Sequence, residues 1–141
     1  MPQAVFVLED FWNMKGIEFL FLAVGAVVGA YLRYRITDSP IVLGGLPLNV
    51  LIVNVIGCFL LGTFSVLSFE LNLDIKYILF IAIGFCSSFT TMSSFALETI
   101  NLIDMNRFNL VVLNIIANVG LSVGGLVVGR AIGIVIMERI L

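Results

Sequence analysis

Gly84-Phe85-Cys86-Ser87-Ser88-Phe89-Thr90-Thr91-Met92-Ser93-Ser94-Phe95 sets six hydroxyl side chains into the middle of an apolar run that extends from about residue 76 to 103. A run of that length crosses a bilayer, which takes ~20 residues of helix. Serine and threonine compete for the helix's own backbone hydrogen bonds, and clustered they bend or open it. Inside a bilayer an opened backbone persists only where protein or water covers it. Two outcomes are open for this stretch. One is a helix broken near its middle, with freed carbonyls able to hold a cation as in the discontinuous helices of ion-coupled transporters. The other is an unbroken helix whose hydroxyls bond back to their own carbonyls. The break is the expectation carried forward.

The rest of the chain supplies the setting. Of its 141 residues, 61% are hydrophobic, 11% are charged and none is histidine, with a mean hydropathy of +1.20. A soluble domain of this size cannot hide so much apolar surface, because surface grows nearly as fast as volume in small proteins. Lipid solvates that surface and asks only that backbone groups pair internally. Apolar stretches at about 17–36, 47–69 and 108–137 join 76–103 to make four spans. The expected fold is therefore an all-α integral membrane protein with four transmembrane helices, the third broken. Residues 17–141 make up the transmembrane domain. Residues 1–16 have neither the positive n-region nor the cleavage site of a signal peptide. Val5, Phe6, Leu8, Phe11 and Trp12 beside Glu9, Asp10 and Lys15 suggest an extension lying in the interface.

The connectors are short: Thr37-Asp38-Ser39-Pro40 with Gly44-Gly45, then Glu70 to Asp74, then Asp104 to Arg107. Short turns lead us to expect that consecutive helices are antiparallel neighbours. With four spans, Lys15, Lys76 and Arg139 share one side and Arg33, Arg35 and Arg107 the other, while Arg130 sits within the fourth helix. Orientation normally follows an excess of Lys and Arg in cytoplasmic loops. Three against three gives no such excess, so insertion in both directions and antiparallel pairing are open, beside a single weakly biased orientation. Gly25 and Gly29, and the ridge Gly125, Gly129 and Gly133, mark close helix contacts.

A polar side chain in hydrocarbon needs a partner or a job. Asn54 stands within an apolar helix, and Asn114, Asn118 and Ser122 recur at i, i+4 and i+8, which places them on one face of the fourth helix. They read either as interhelical glue or as donors lining a file for a small anion, since amides and hydroxyls donate and aromatic ring edges are partly positive. Arg33 is either a snorkelling anchor or a collector of anions at a pore mouth. Cys58 and Cys86 lie in apolar runs and read as small buried hydrophobes. Without histidine there is no Ser-His-Asp or Cys-His nucleophile, so the chain is not read as an enzyme. A net charge of −2 offers no basic surface for nucleic acid.

These residues resemble the Fluc (CrcB) fluoride channel family from about Gly25 to Gly133. Gly25 to Tyr34 is similar to that family's first-helix Gly-x-x-x-Gly-Ala-x-x-Arg-Tyr. Pro47 to Asn54 and Gly57 to Gly62 resemble its second-helix signature. Gly84 to Phe95 is similar to the run GFCGGxTTFSTF, and Asn114, Asn118 and Ser122 fall on its fourth-helix polar positions. The resemblance implies an antiparallel, dual-topology dimer in the cytoplasmic (inner) membrane that passes fluoride through two pathways lined by both subunits and confers fluoride resistance. Asn54, Met92, Ser93, Ser94, Phe95, Asn114, Asn118 and Ser122 would line each pathway, and Arg33 would line a vestibule. A structural sodium ion at the dimer centre would take backbone carbonyls of Ser87 and Thr90. The chain departs from the pattern at Met92, where the family has a phenylalanine, at Ser87-Ser88 for Gly-Gly, and at Asn49-Val50 for Gly-Thr.

Passive fluoride export is thus the first functional expectation, through a homodimer or through a heterodimer with a paralogous subunit. A proton-coupled small multidrug exporter also has four helices and dual topology, but wants a carboxylate deep in the first helix. Glu18 is too near the boundary, and Glu98, near the end of the third span, is read as a partner for Arg107 or for a helix end. A non-conducting structural subunit is favoured only by Met92 and the serine pair.

Overall fold

A computed structural model describes residues 15–140; the proposed interfacial extension falls, but for its last two residues, outside them. Four helical spans are long and apolar enough to cross a membrane: Gly16–Thr37, Asn49–Glu70, Ile75–Asp104 and Phe108–Ile140. Helix α1 (Gly16–Thr37) leads through a hairpin of β1 (Val42–Leu43) and β2 (Leu46–Pro47) to α2 (Asn49–Glu70). The third span is composite: α3 (Ile75–Ile78), a π-helical stretch Leu79–Cys86, α4 (Ser87–Phe89), and, after a break, α5 (Met92–Asp104). Helix α6 (Phe108–Ile140) ends the described chain.

The helix ends follow from local chemistry. Gly44 and Gly45 both take positive φ, as a two-residue hairpin turn between Leu43 and Leu46 requires. Pro47 lies in β2, so α2 begins two residues later than its apolar pattern suggests. Helices α2 and α5 each close on an asparagine with positive φ, Asn72 and Asn106. Leu73 N–H then reaches Ser68 O (3.1 Å) and Arg107 N–H reaches Leu102 O (2.9 Å), the six-to-one bond that satisfies a terminal carbonyl. Asp74 caps α3 by accepting from Lys76 N–H at 3.0 Å. That bond, and the Lys76 ammonium at 3.4 Å, hold its carboxyl below the usual range.

The expectation that consecutive helices are close neighbours is corrected. The intimate pairs are α1 with the third span and α2 with α6, while α1 and α2 touch little. Glycine decides this. A Cβ on Gly25 would overlap the Phe80 carbonyl, and one on Gly29 the Phe85 carbonyl. In the other pair, Gly62 faces the Leu126 carbonyl and Gly129 the Phe59 carbonyl, and a Cβ on Gly125 or Gly133 would stand 3.0 Å from the Val55 or Thr63 carbonyl. Both pairs run parallel, because contacts climb together along the two partners. Loop length limits where a helix can start, but backbone-to-backbone approach at small residues selects its partner.

Burial is inverted relative to a soluble fold. Large apolar side chains such as Phe19, Val27, Ile116 and Val123 are exposed, while Asn49, Thr91, Asn114 and Asn118 are among the most buried groups. That is the arrangement in which lipid is the solvent. This is a multi-pass membrane protein.

Candidate functional site

The break in the third span lies where the two helix pairs meet. Thr90 is extended (φ −77°, ψ 160°), as is Thr91 (φ −153°, ψ 115°). An α-helix would send Thr91 N–H to Ser87 O; instead it donates to Asn54 Oδ1 on α2 at 2.8 Å. Ser94 N–H, which would serve Thr90 O, turns to Thr91 Oγ1 at 3.2 Å and starts α5 with a side-chain cap. Threonine thus both opens the helix and restarts it. A Cβ on Gly57 would overlap the Thr90 methyl group, so this glycine lets the opened backbone lie against α2.

From the break a file of amides crosses to the fourth span. Asn54 Nδ2 donates to Thr91 O (3.3 Å) and to Asn118 Oδ1 (3.2 Å). Asn118 Nδ2 donates to Asn114 O (3.2 Å) and Oδ1 (2.9 Å). Asn114, fully buried at 0% exposure, donates onward to Thr99 Oγ1 at 3.1 Å. At the break end, Thr91 Oγ1 lies 3.2 Å from Ser93 Oγ and donates to Ser94 Oγ at 3.0 Å. Phe95 is buried, one turn into α5. Three spans therefore contribute uncharged hydrogen-bonding groups to one connected, largely buried line.

Not every expected site residue joins it. Ser122 lies on the same face of α6 one turn beyond Asn118, with its hydroxyl buried and no hydrogen-bond partner among the described residues. Met92 is 73% exposed and stands apart from the amides within a single chain. Ser87 is exposed, and its hydroxyl bonds to Ala82 O at 3.2 Å. Arg33 reaches the break itself: its guanidinium donates to Thr90 O at 3.3 Å. Glu98 has no Arg107 partner, since Lys76–Asp74 is the ion pair found among the described residues; Glu98 Oε2 is instead buried, with no hydrogen bond to any described residue.

A family model described as CrcB-like protein, Camphor Resistance (CrcB), matches residues 20–130. The chain belongs to the CrcB-like family. A protein of Nitrosopumilus maritimus (strain SCM1) named fluoride-specific ion channel FluC is 60% identical over 119 residues, covering 84% of this chain and 94% of that protein. A protein of the same name from Sulfurihydrogenibium sp. (strain YO3AOP1) is 42% identical over 108 residues, covering 74% of this chain and 87% of its own. One from Methanocaldococcus jannaschii is 41% identical over 102 residues, with 72% and 82% covered. The match takes in the whole second and third spans of the CrcB-like chain and most of the first and fourth, with the break and the amide file inside it.

Two polar residues of the CrcB-like chain, one at the break and one at the start of α2, have roles that the sequence alone does not show. Thr91 was read as one hydroxyl among six, because the acceptor of its backbone N–H lies on another helix. Asn49 stood out only as a departure from the family pattern. It is a buried staple: it accepts from Ile41 N–H (2.7 Å) and donates to Ile36 O (2.6 Å) and Ser39 O (2.8 Å). It fixes the hairpin loop to the end of α1, one turn beyond Arg33.

Proposed function

We propose that the chain is a fluoride-selective channel that passes fluoride passively out of the cytoplasm. The observation that carries this is the connected file of uncharged donors running from Thr91 through Asn54 and Asn118 to Asn114. Fluoride is small and strongly hydrated, and it can shed water only where hydrogen-bond donors replace it. Amides and hydroxyls do so without the tight grip of a cation. The relatives named fluoride-specific ion channel support the choice of ion.

Glue alone accounts poorly for the same residues. An interhelical hydrogen bond in a membrane contributes only ~0.6 kcal/mol on average. So small a gain does not by itself account for two buried asparagines and a half-buried third linked in one line. A proton-coupled exporter is disfavoured because Glu18 sits in the first turn of α1, where its carboxylate accepts from Lys15 N–H at 2.8 Å.

The working unit is an antiparallel dimer in the cytoplasmic membrane, made of two copies or of this chain and a paralogue, with two pathways that both subunits line. The balanced basic residues support insertion both ways. A second subunit also supplies surroundings for Met92, Ser93 and Ser87, which are exposed in one chain. Asn54, Asn118, Asn114, Ser122, Ser93, Ser94, Met92 and Phe95 line the route, with Arg33 at its approach.

The break also bears on a structural sodium ion. Ser87 O and Thr90 O have both lost the N–H groups that an unbroken helix would give them, and neutral backbone oxygens suit a hard monovalent cation. Bound at the dimer centre, sodium would supply a positive charge holding opposed carbonyls together. Ser87 O fits that role directly. Thr90 O fits once the Arg33 guanidinium releases it.

The test is efflux from liposomes holding the purified protein, with a potassium shunt. Fluoride should leave rapidly and chloride should stay. Trapped fluoride with a folded, dimeric protein would overturn the homodimeric channel and direct the search to a paralogous subunit.

A further inference from the structure

The amide file does not stop at Asn114. Asn114 Nδ2 donates to Thr99 Oγ1 at 3.1 Å, and the Thr99 hydroxyl gives its own proton to Phe95 O at 2.8 Å. The line therefore leaves the third span at Thr91 N–H and returns to it at Phe95 C=O, four residues later.

Its ends set its direction. A side-chain amide can face either way, offering N–H or a carbonyl oxygen. A backbone N–H can only donate, so Asn54 must turn Oδ1 to Thr91 and Nδ2 to Asn118. A backbone carbonyl can only accept, so Thr99 must turn its proton to Phe95 and a lone pair to Asn114. That lone pair demands an N–H from Asn114, which leaves Asn114 Oδ1 to receive Asn118 Nδ2 at 2.9 Å. Both ends impose the same sense on the two amides between them. An amide turned the other way would show an anion an oxygen.

We infer that Thr99 is a positioning residue of the permeation pathway: its hydroxyl, held by the Phe95 carbonyl, pins the Asn114 end of the file and, together with Thr91 N–H at the other end, fixes which way the Asn114 and Asn118 amides face a passing ion. This rests on reading the file as the fluoride route. Thr99 acts through Asn114.

Two variants separate orientation from packing. Thr99→Val keeps the shape and loses the hydroxyl; Thr99→Ser keeps the hydroxyl and loses a methyl group. In liposomes, Thr99→Val should slow fluoride efflux about three- to tenfold, the factor carried by one hydrogen bond, while Thr99→Ser should stay within about twofold of wild type. In the full-length protein in detergent, the side-chain amide 15N–1H resonances of Asn114 and Asn118 should shift in Thr99→Val and return in Thr99→Ser. The Asn118 signal is decisive, because a packing role for Thr99 would leave it in place. Unchanged flux in Thr99→Val, an unmoved Asn118 resonance, or equal damage from serine and valine would each overturn the inference. If Thr99→Val does not assemble, Thr99→Ala against Thr99→Ser gives the same contrast, and a loss that ignores the hydroxyl overturns it. A wild-type protein that carries no fluoride would overturn the channel reading, while the resonances still test the positioning role.

Discussion

Two kinds of seam hold this molecule, and they are built on opposite chemistry. Within each helix pair, glycine sets backbone against backbone: Gly25 and Gly29 of α1 against the third span, Gly62 and Gly129 between α2 and α6. Between the pairs, where the third span opens, contact runs through Asn54, Thr91, Asn118 and Asn114. The glycine seams are dry and short-ranged, and they gain from dispersion over many small contacts. The polar seam is directional, and every member depends on its neighbours' orientation. A protein that needed only to assemble could use the first kind throughout. The second kind appears where the backbone is opened, and it gives an ion something other than hydrocarbon to meet.

The contrast makes different failures in the two places. The largest effect belongs to a glycine seam. Gly129→Val would drive a side chain into the Phe59 carbonyl, and overpacking of ~1–3 kcal/mol or more should leave little protein in the folded peak on gel filtration. Recovery of that peak at wild-type yield would show that the helices can part cheaply. Next comes Phe95→Ala at the polar seam, which removes the buried ring from α5. Fluoride efflux should fall by about tenfold or more, through loss of a positive ring edge, with the dimer still present by cross-linking; near-normal flux would remove Phe95 from the lining.

Smaller effects sharpen the boundary. Asn49→Ala strands Ile41 N–H and the Ile36 and Ser39 carbonyls. It should cost about 2 kcal/mol of stability, read as a lower melting temperature, with fluoride flux per folded protein little changed. A large flux loss at unchanged stability would instead make the staple part of the pathway. The smallest effect is expected from Met92→Phe. Met92 is exposed in the single chain, and flux should remain within a few-fold of wild type; loss of transport would mean that the flexible thioether itself is needed.

The sequence pattern revealed the four spans directly, because apolar length is a local signal, and its cluster of six hydroxyls pointed to an opening in the third helix without excluding an unbroken one. Asn54 and the Asn114–Asn118 stripe were legible too, since an amide inside a greasy helix has to be answered by something. What stayed hidden depends on partners far along the chain. The glycine ridges announced close contact without saying with which helix, so consecutive spans were expected to pair where alternate ones do. Thr99 resembles any threonine bonded back to its own helix, and its hydroxyl does bond to Phe95 O. Only the fold reveals that Asn114 Nδ2 donates to the Thr99 hydroxyl oxygen. Asn49 looked like a lapse from a family pattern until the loop that it staples was in view.

The most direct test of the central claim, that uncharged donors at the opened helix carry the ion, is fluoride efflux from liposomes containing Asn54→Asp. Aspartate can still accept from Thr91 N–H but has no N–H for Asn118 and adds a negative charge to the file, so efflux should fall on the order of 100-fold or more while the protein remains folded and dimeric. Fluoride leaving that variant at the wild-type rate would place the route elsewhere.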